Sequence, residues 1–135
     1  MAKKQNKAYV KENLNFIEAL NSDSEVIKIT QGVYYKILTK GEGKIKPQPN
    51  SVVTVRYEGR LIDGTIFDTS LDVDYGIAFR VRELIEGWMI ALQSMVVGDK
   101  WEIYLSSDRA YGPSTIEKIP GGSTLIFKVE LCSIN

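Results

Sequence analysis

The feature that most constrains the fold of this chain is an alternation of apolar and polar residues with a period of two. It is clearest in residues 52–61, where Val53, Val55 and Tyr57 fall on one face of an extended chain and polar side chains on the other. Asp63-Gly64 follows as a strong turn signal, so a hairpin is expected there. The other strand candidates are residues 33–38, 65–67, 77–81, 101–105 and 125–131, and residues 77–81 show the weakest pattern. The pattern predicts an antiparallel sheet of about five strands.

One internal segment, residues 84–95, has the spacing of a helix instead. Its apolar stripe consists of Leu84, Trp88, Leu92 and Met95. An open sheet with one apolar face must be covered, and this short helix is the element available to cover it. We therefore predict an α+β fold, in which a curled antiparallel sheet, a half-barrel, wraps on one short α-helix. A concave apolar site is expected between the helix and the sheet.

A second, N-terminal helix is expected over residues 9–20. Its apolar positions at helical spacing are Val10, Leu14, Ile17 and Leu20. A helix of about twelve residues is marginal on its own, so this face must lie on the rest of the chain or on a second copy of it. Residues 21–31 form a tether long enough to fold back, which favours the first arrangement and a monomer. We divide the chain into residues 1–31, a basic tail with the short amphipathic helix, and residues 32–135, the main domain.

Composition excludes several classes of function. The chain has 17 basic residues, 17 acidic residues and no histidine. A net charge of zero argues against nucleic-acid binding, which needs an excess of cations. Without histidine there is no Ser-His-Asp or Cys-His nucleophile, no histidine base and no histidine metal site. Because the acidic stretch at residues 61–79 also lacks the ligand spacing of a calcium loop, we expect neither a metal nor a cofactor.

The sequence shows no feature of a membrane protein or of an oxidising compartment. Its single cysteine, Cys132, cannot form an intrachain disulfide. No segment approaches the ~18 apolar residues of a membrane span. Basic residues near the start are not followed by an apolar segment, so no signal peptide is predicted. We therefore expect a cytoplasmic protein without a membrane partner, although a secreted parent whose leader had been removed would have the same sequence.

The chemistry that remains is an apolar pocket with a few hydroxyl groups and one or two acids. A binding module can use such a pocket, and so can an enzyme whose reaction needs no nucleophile, metal or cofactor. Prolyl cis-trans isomerisation is such a reaction, since its barrier of about 18–20 kcal/mol comes from the double-bond character of the amide C–N bond. The twisted transition state is less charge-separated than the planar amide, so a dry aromatic pocket penalises the ground state more.

Six segments, taken in order, carry a resemblance to a known family. They are Val55-Arg56-Tyr57-Glu58-Gly59, Asp63-Gly64-Thr65-Ile66-Phe67-Asp68, Leu84-Ile85-Glu86-Gly87-Trp88, Ala91-Leu92-Gln93-Ser94-Met95, Ala110-Tyr111-Gly112, and Ile119-Pro120 with Thr124-Leu125-Ile126-Phe127. Through their shared order and spacing, residues 33–135 resemble an FKBP-type peptidyl-prolyl cis-trans isomerase domain. The fold of that family, a half-barrel sheet wrapped on one short helix, agrees with the fold predicted above.

The resemblance implies a prolyl-binding site and its residues. Catalytic roles fall to Trp88, on which the proline ring would sit, to Asp68 as the pocket acid, and to Tyr111 as the hydroxyl donor over the substrate carbonyl. The substrate-binding positions are Tyr57, Phe67, Leu84, Ile85, Ile119 and Phe127. Of these, Ile85 would also supply a backbone amide to a ligand carbonyl. The implied binding partners are proline-containing polypeptides and macrocyclic immunosuppressants, and the alternative function is a non-catalytic peptide-binding or chaperone module on the same fold.

Three further expectations follow from the positions of these residues. Tyr57 lies on the inward face of its strand and Asp68 just past the hairpin that returns toward it, so a hydrogen bond between them is expected. As a departure from the pattern of the family that the chain resembles, Ile77 is expected to replace a pocket aromatic. Because every site residue lies at or beyond Tyr57, removal of residues 1–28 is expected to leave isomerisation largely intact.

Overall fold

The computed structural model describes residues 6–135, so the first five residues of the predicted basic tail lie outside the described part of the chain. The described residues form seven strands in one sheet, paired antiparallel throughout. The strands are β1 (Ile27–Thr30), β2 (Val33–Thr39), β3 (Val52–Arg60), β4 (Ile66–Thr69), β5 (Ile77–Arg80), β6 (Lys100–Leu105) and β7 (Leu125–Ile134). They run in the order β1-β2-β6-β7-β3-β4, and β5 also pairs with β3. The sheet curls without closing, as predicted.

The sheet has more strands than the five or so predicted. β1 lies within the segment predicted as a tether, residues 21–31, and pairs with β2 across a turn at Gly32, whose φ is +83°. A run of four residues is too short for alternation to distinguish a strand from a loop, and β1 exists because β2 offers it a hydrogen-bonding edge. This pairing crosses the boundary drawn between residues 1–31 and 32–135, and that division stays a prediction.

The predicted covering helix is α2 (Glu86–Leu92), and it is shorter than the predicted range of 84–95. After it, the N–H groups of Ser94 and Met95 donate to carbonyls three residues back, which tightens the chain into a turn. Met95 is nevertheless fully buried in the same core as Trp88. The apolar stripe was therefore correct as a buried face, but the helix ends before the stripe does.

The N-terminal helix, α1 (Lys7–Leu20), lies on the outer face of the sheet, opposite α2. The Phe16 ring packs against Tyr104, with centroids 6.2 Å apart. Because side chains alternate along a strand, and the neighbours Ile103 and Leu105 lie in the core, Tyr104 points away from α2. Of the two arrangements considered for this helix, the structure shows docking on its own chain.

The face that α1 turns toward the sheet agrees with the predicted stripe at three of its four positions, which are half-buried, and differs at Leu14. α1 spans Lys7–Leu20 and begins earlier than predicted, because the Asn6 side chain caps it by accepting hydrogen bonds from two backbone N–H groups. Leu14, a member of the predicted stripe, is 58% exposed, whereas Asn13 is 1% exposed. A search for apolar periodicity cannot find a buried asparagine. Neither helix in residues 6–135 is long and apolar enough to cross a membrane.

Candidate active site

A cavity of about 200 Å³ opens between α2 and the concave face of the sheet. Seven of the nine predicted site residues line it, namely Tyr57, Phe67, Leu84, Ile85, Trp88, Tyr111 and Phe127. The other two, Asp68 and Ile119, line an adjoining hollow of about 270 Å³ that shares Phe67 and Tyr111 with the cavity. The structure thus brings all nine predicted residues to one region of the protein.

Trp88 is the centre of an aromatic cluster in this cavity. Its side chain is 5% exposed and is held on α2. The rings of Tyr57, Phe127 and Phe79 meet it close to edge to face, with centroids 5.2, 5.1 and 6.1 Å away. Such contacts restrict the orientation of a ring, so the indole forms a fixed surface at the base of the cavity.

Two lining residues, Phe79 and Glu83, were not predicted from the sequence. Phe79 lies on β5 two residues after Ile77, so the two side chains share one face of the strand. Ile77, which was expected to replace a pocket aromatic, does not line the cavity, and Phe79 does. The aromatic residue in the weakly alternating segment 77–81 was the signal that could have found it.

Gly59 on β3 leaves the space in which two aromatic rings of the cavity wall meet above the strand. The Phe67 and Phe127 rings meet edge to face there, with centroids 5.6 Å apart. A Cβ atom on Gly59 would lie 2.6 Å from the Phe67 ring and 2.8 Å from the Phe127 ring. Since no side chain fits at those distances, the glycine is required for both rings to occupy these positions.

The predicted hydrogen bond between Tyr57 and Asp68 is present, with the hydroxyl donating to Oδ2 at 2.7 Å. Burial, this hydrogen bond and the charge of Asp68 raise the pKa of Tyr57 above its ordinary value. Burial and the charges of Asp68 and Glu117 likewise raise the pKa of Tyr111. Both phenols therefore stay protonated at neutral pH. Tyr57 donates to Asp68, and Tyr111 can donate to a group bound in the cavity.

Leu84 and Ile85 connect a 3-10 turn at residues 81–83 to the start of α2. Ile85 is the N-cap residue, and its carbonyl accepts the hydrogen bond from Met89 N–H at 3.1 Å. The N–H of an N-cap residue lies outside the helical hydrogen-bond ladder. The backbone amide named in the resemblance is therefore not used by the helix.

The adjoining hollow is walled by a tight turn that carries Ile119. Ile116 and Ile119 exchange backbone hydrogen bonds at 2.9 and 2.8 Å. Glu117 between them has a φ of +49°, in the left-handed region that non-glycine residues seldom adopt.

Within residues 6–135, no group of three or more His, Cys, Asp or Glu side chains is arranged to hold a metal ion.

Residues 43–132 match the protein family described as FKBP-type peptidyl-prolyl cis-trans isomerase. The chain belongs to this family. It is 40% identical over 120 residues to a Legionella longbeachae protein named Outer membrane protein MIP, and 39% identical over 129 residues to the FKBP-type 22 kDa peptidyl-prolyl cis-trans isomerase of Escherichia coli K12. These alignments cover 88% and 94% of this chain, but 51% and 62% of the relatives.

The fold is also that of solved FKBP-type structures. A crystal structure of a peptidyl-prolyl cis-trans isomerase from Pseudomonas syringae pv. tomato superimposes with a TM-score of 0.89 at 34% identity. That superposition covers 100% of this chain and 99% of the other. Membership of the FKBP-type family confirms the resemblance drawn from the six segments, and the chain spans about half to two-thirds of the length of the curated relatives named here.

Proposed function

We propose that this chain catalyses cis-trans isomerisation of X-Pro bonds by binding the prolyl ring in the aromatic cavity. The observation that carries the proposal is the Trp88 indole, buried and enclosed by three aromatic rings, next to the Tyr57–Asp68 hydrogen bond. A cavity of about 200 Å³ is smaller than most drug-sized pockets and suits one ring with its flanking amide.

In the proposed reaction no bond to the protein forms and no proton is transferred. The apolar wall disfavours the charge-separated planar amide more than the twisted transition state, which lowers the barrier. The Tyr111 hydroxyl and the Ile85 amide hold carbonyl groups of the substrate, which orients the bond that must rotate. Asp68, fixed by Tyr57, acts through its charge and position.

A protease-coupled assay on a short X-Pro peptide tests the proposal. Micromolar protein should shorten the relaxation, which takes tens to hundreds of seconds unaided. Tyr111→Phe should slow the catalysed rate, and Tyr75→Phe is the matched control because Tyr75 is 71% exposed and does not line the cavity. No acceleration by the wild-type protein would reject the enzyme and leave the non-catalytic peptide-binding module.

The macrocyclic ligands expected from the sequence are proposed for the same cavity. Two relatives are named FK506-binding proteins, at 38% identity over 118 and 93 residues. Titration of the protein with FK506, followed by intrinsic fluorescence, tests this part of the proposal. A signal that stays constant at saturating ligand would contradict it.

A monomeric state and a cytoplasmic location also stay proposals. The monomer is supported by α1, which packs on its own chain and so needs no second copy to cover it. Light scattering should report a mass near 15.2 kDa, and twice that value would reject the monomer. Fractionation of source cells tests the location, and recovery in the envelope would match the relative named an outer membrane protein.

A further inference from the structure

α1 is attached to the loop that forms one wall of the candidate site. Asn13, which is 1% exposed, accepts a hydrogen bond at Oδ1 from the backbone N–H of Thr124 at 2.7 Å. The Thr124 hydroxyl donates to the Asn13 carbonyl at 3.1 Å. Asparagine is a poor residue for a helix interior, and a buried amide is tolerated only when it is hydrogen-bonded. Asn13 is therefore explained by this contact, while its Nδ2 donates to the Tyr9 carbonyl within the helix at 2.8 Å.

A second contact, one turn earlier in α1, extends the connection toward the site. The hydroxyl oxygens of Tyr9 and Ser123 lie 2.6 Å apart, and the Ser123 hydroxyl donates to the Pro120 carbonyl at 2.6 Å. Because serine has a single hydroxyl hydrogen, Tyr9 is the donor to Ser123. The acceptor, Pro120, directly follows Ile119, which lines the hollow beside Asp68.

The same loop is fixed at its other end, next to Tyr111. Gly122 N–H donates to the Gly112 carbonyl at 2.9 Å. A Cβ atom on Gly121 would lie 2.1 Å from the Pro113 carbonyl oxygen, so the two ends of the loop are in direct contact. A shift of residues 120–124 would therefore displace Tyr111 as well as Ile119.

We propose that α1 is a brace for the substrate site, with Asn13 and Tyr9 as positioning residues that hold the loop 111–124 in its binding geometry. The kinetic part of this inference rests on the proposed function, whereas the structural part does not. The sequence predicted that residues 1–28 are dispensable, because no site residue lies among them. The contacts of α1 indicate the opposite, because the loop that carries Ile119 and Tyr111 would lose its buried partners.

Hydrogen exchange on the ligand-free full chain tests the structural part. Asn13→Ala removes the acceptor of the Thr124 N–H, and Asn15→Ala makes the same chemical change at an exposed position of the same helix. Amides of the loop 111–124 should exchange up to about tenfold faster in Asn13→Ala, which corresponds to the net free energy of one hydrogen bond. Asn15→Ala should leave these amides at the wild-type rate.

Peptide kinetics test the functional part, at temperatures where each variant is fully folded by circular dichroism. In Asn13→Ala, kcat/KM should fall about threefold to tenfold, while Asn15→Ala stays at the wild-type value. Should Asn13→Ala fail to fold, Tyr9→Phe replaces it, since it removes a single hydroxyl and is expected to shift loop exchange and kcat/KM in the same direction.

The possible outcomes test the positioning role of α1 separately from the proposed catalytic function. Inactive wild-type protein would reject the proposed function, and the exchange measurement alone would then decide on the brace. Unchanged exchange in the loop would overturn the brace whatever the activity. A lower Tm with unchanged kcat/KM would show that Asn13 only stabilises the fold, and would also overturn it.

Discussion

Replacement of Trp88 separates the contribution of its indole to the fold from its contribution to binding. The side chain is 5% exposed, and truncation of a buried tryptophan to alanine costs about 3–5 kcal/mol. Each edge-to-face pair, such as those with Tyr57 and Phe127 at 5.2 and 5.1 Å, stabilises the fold beyond the burial of the ring itself. We therefore expect the upper part of that range, and a Tm lower by roughly 10–20 °C. Because domains are stable by roughly 5–15 kcal/mol, a folded but weakened protein is expected.

Trp88→Phe is the informative partner of Trp88→Ala. It keeps an aromatic ring at the base of the cavity, so the fold should persist while substrate affinity and activity fall. Thermal unfolding followed by circular dichroism measures the first effect, and the protease-coupled peptide assay measures the second. Ligand binding to the protein that keeps Trp88 is followed by tryptophan fluorescence in a Trp101→Phe background, and the ligand affinity of Trp88→Phe is measured by calorimetric titration. Trp101 stacks on Tyr35 at 3.7 Å and does not line the cavity, so its emission would only dilute the signal.

Three results would contradict this account of Trp88. The first is a Trp88→Phe protein with wild-type activity and wild-type ligand affinity, which would place the prolyl ring elsewhere. The second is a Trp101→Phe protein whose remaining fluorescence does not respond to saturating ligand. A Trp88→Ala protein with an unchanged Tm would contradict the burial on which the energy rests.

Three further predictions concern Asp68, the tyrosines Tyr57 and Tyr104, and Gly59. Asp68→Leu should fold normally and lose less activity in the peptide assay than the roughly 100-fold expected on removal of a general acid, since its proposed role needs no proton transfer; complete loss would contradict this. Burial and carboxylate hydrogen bonds raise the pKa of both Tyr57 and Tyr104, so the stability they contribute is complete below the ordinary tyrosine pKa of about 10 and is lost as pH rises above it. Denaturant unfolding between pH 8 and about pH 11 measures this, with Tyr104→Phe as reference, and a stability that does not fall above about pH 10 would argue against it. Gly59→Ala should displace the Phe67 ring and weaken ligand binding in a calorimetric titration, because the new Cβ would lie 2.6 Å from that ring; unchanged affinity and Tm would count against the assigned role of Gly59.

The elements with the clearest pattern in the sequence are those that bury one face along most of their length. β3, β6 and β7 alternate because one side of each strand lies in the core, and α2 keeps its apolar stripe for the same reason. The short strand β1 and the end of α2 were misjudged, since a neighbouring edge and a tightened turn determine them, and neither is visible in local periodicity. Most of the candidate site was found because six short segments match one family in order and spacing.

What the sequence by itself determined is therefore the half-barrel sheet with its covering helix, and the residue types that meet between them. Only the tertiary structure decided where α1 lies, that Asn13 and not Leu14 is buried on it, and that Asn13 bonds to Thr124 across 111 residues of chain. The physical reason is that apolar burial leaves a periodic signature along the chain, whereas a buried hydrogen bond between distant residues leaves none. The position of Phe79 beside Trp88 also depends on tertiary structure, since the pairing of β5 with β3 directs its ring into the cavity, although the sequence marks it as an aromatic residue on a weak strand.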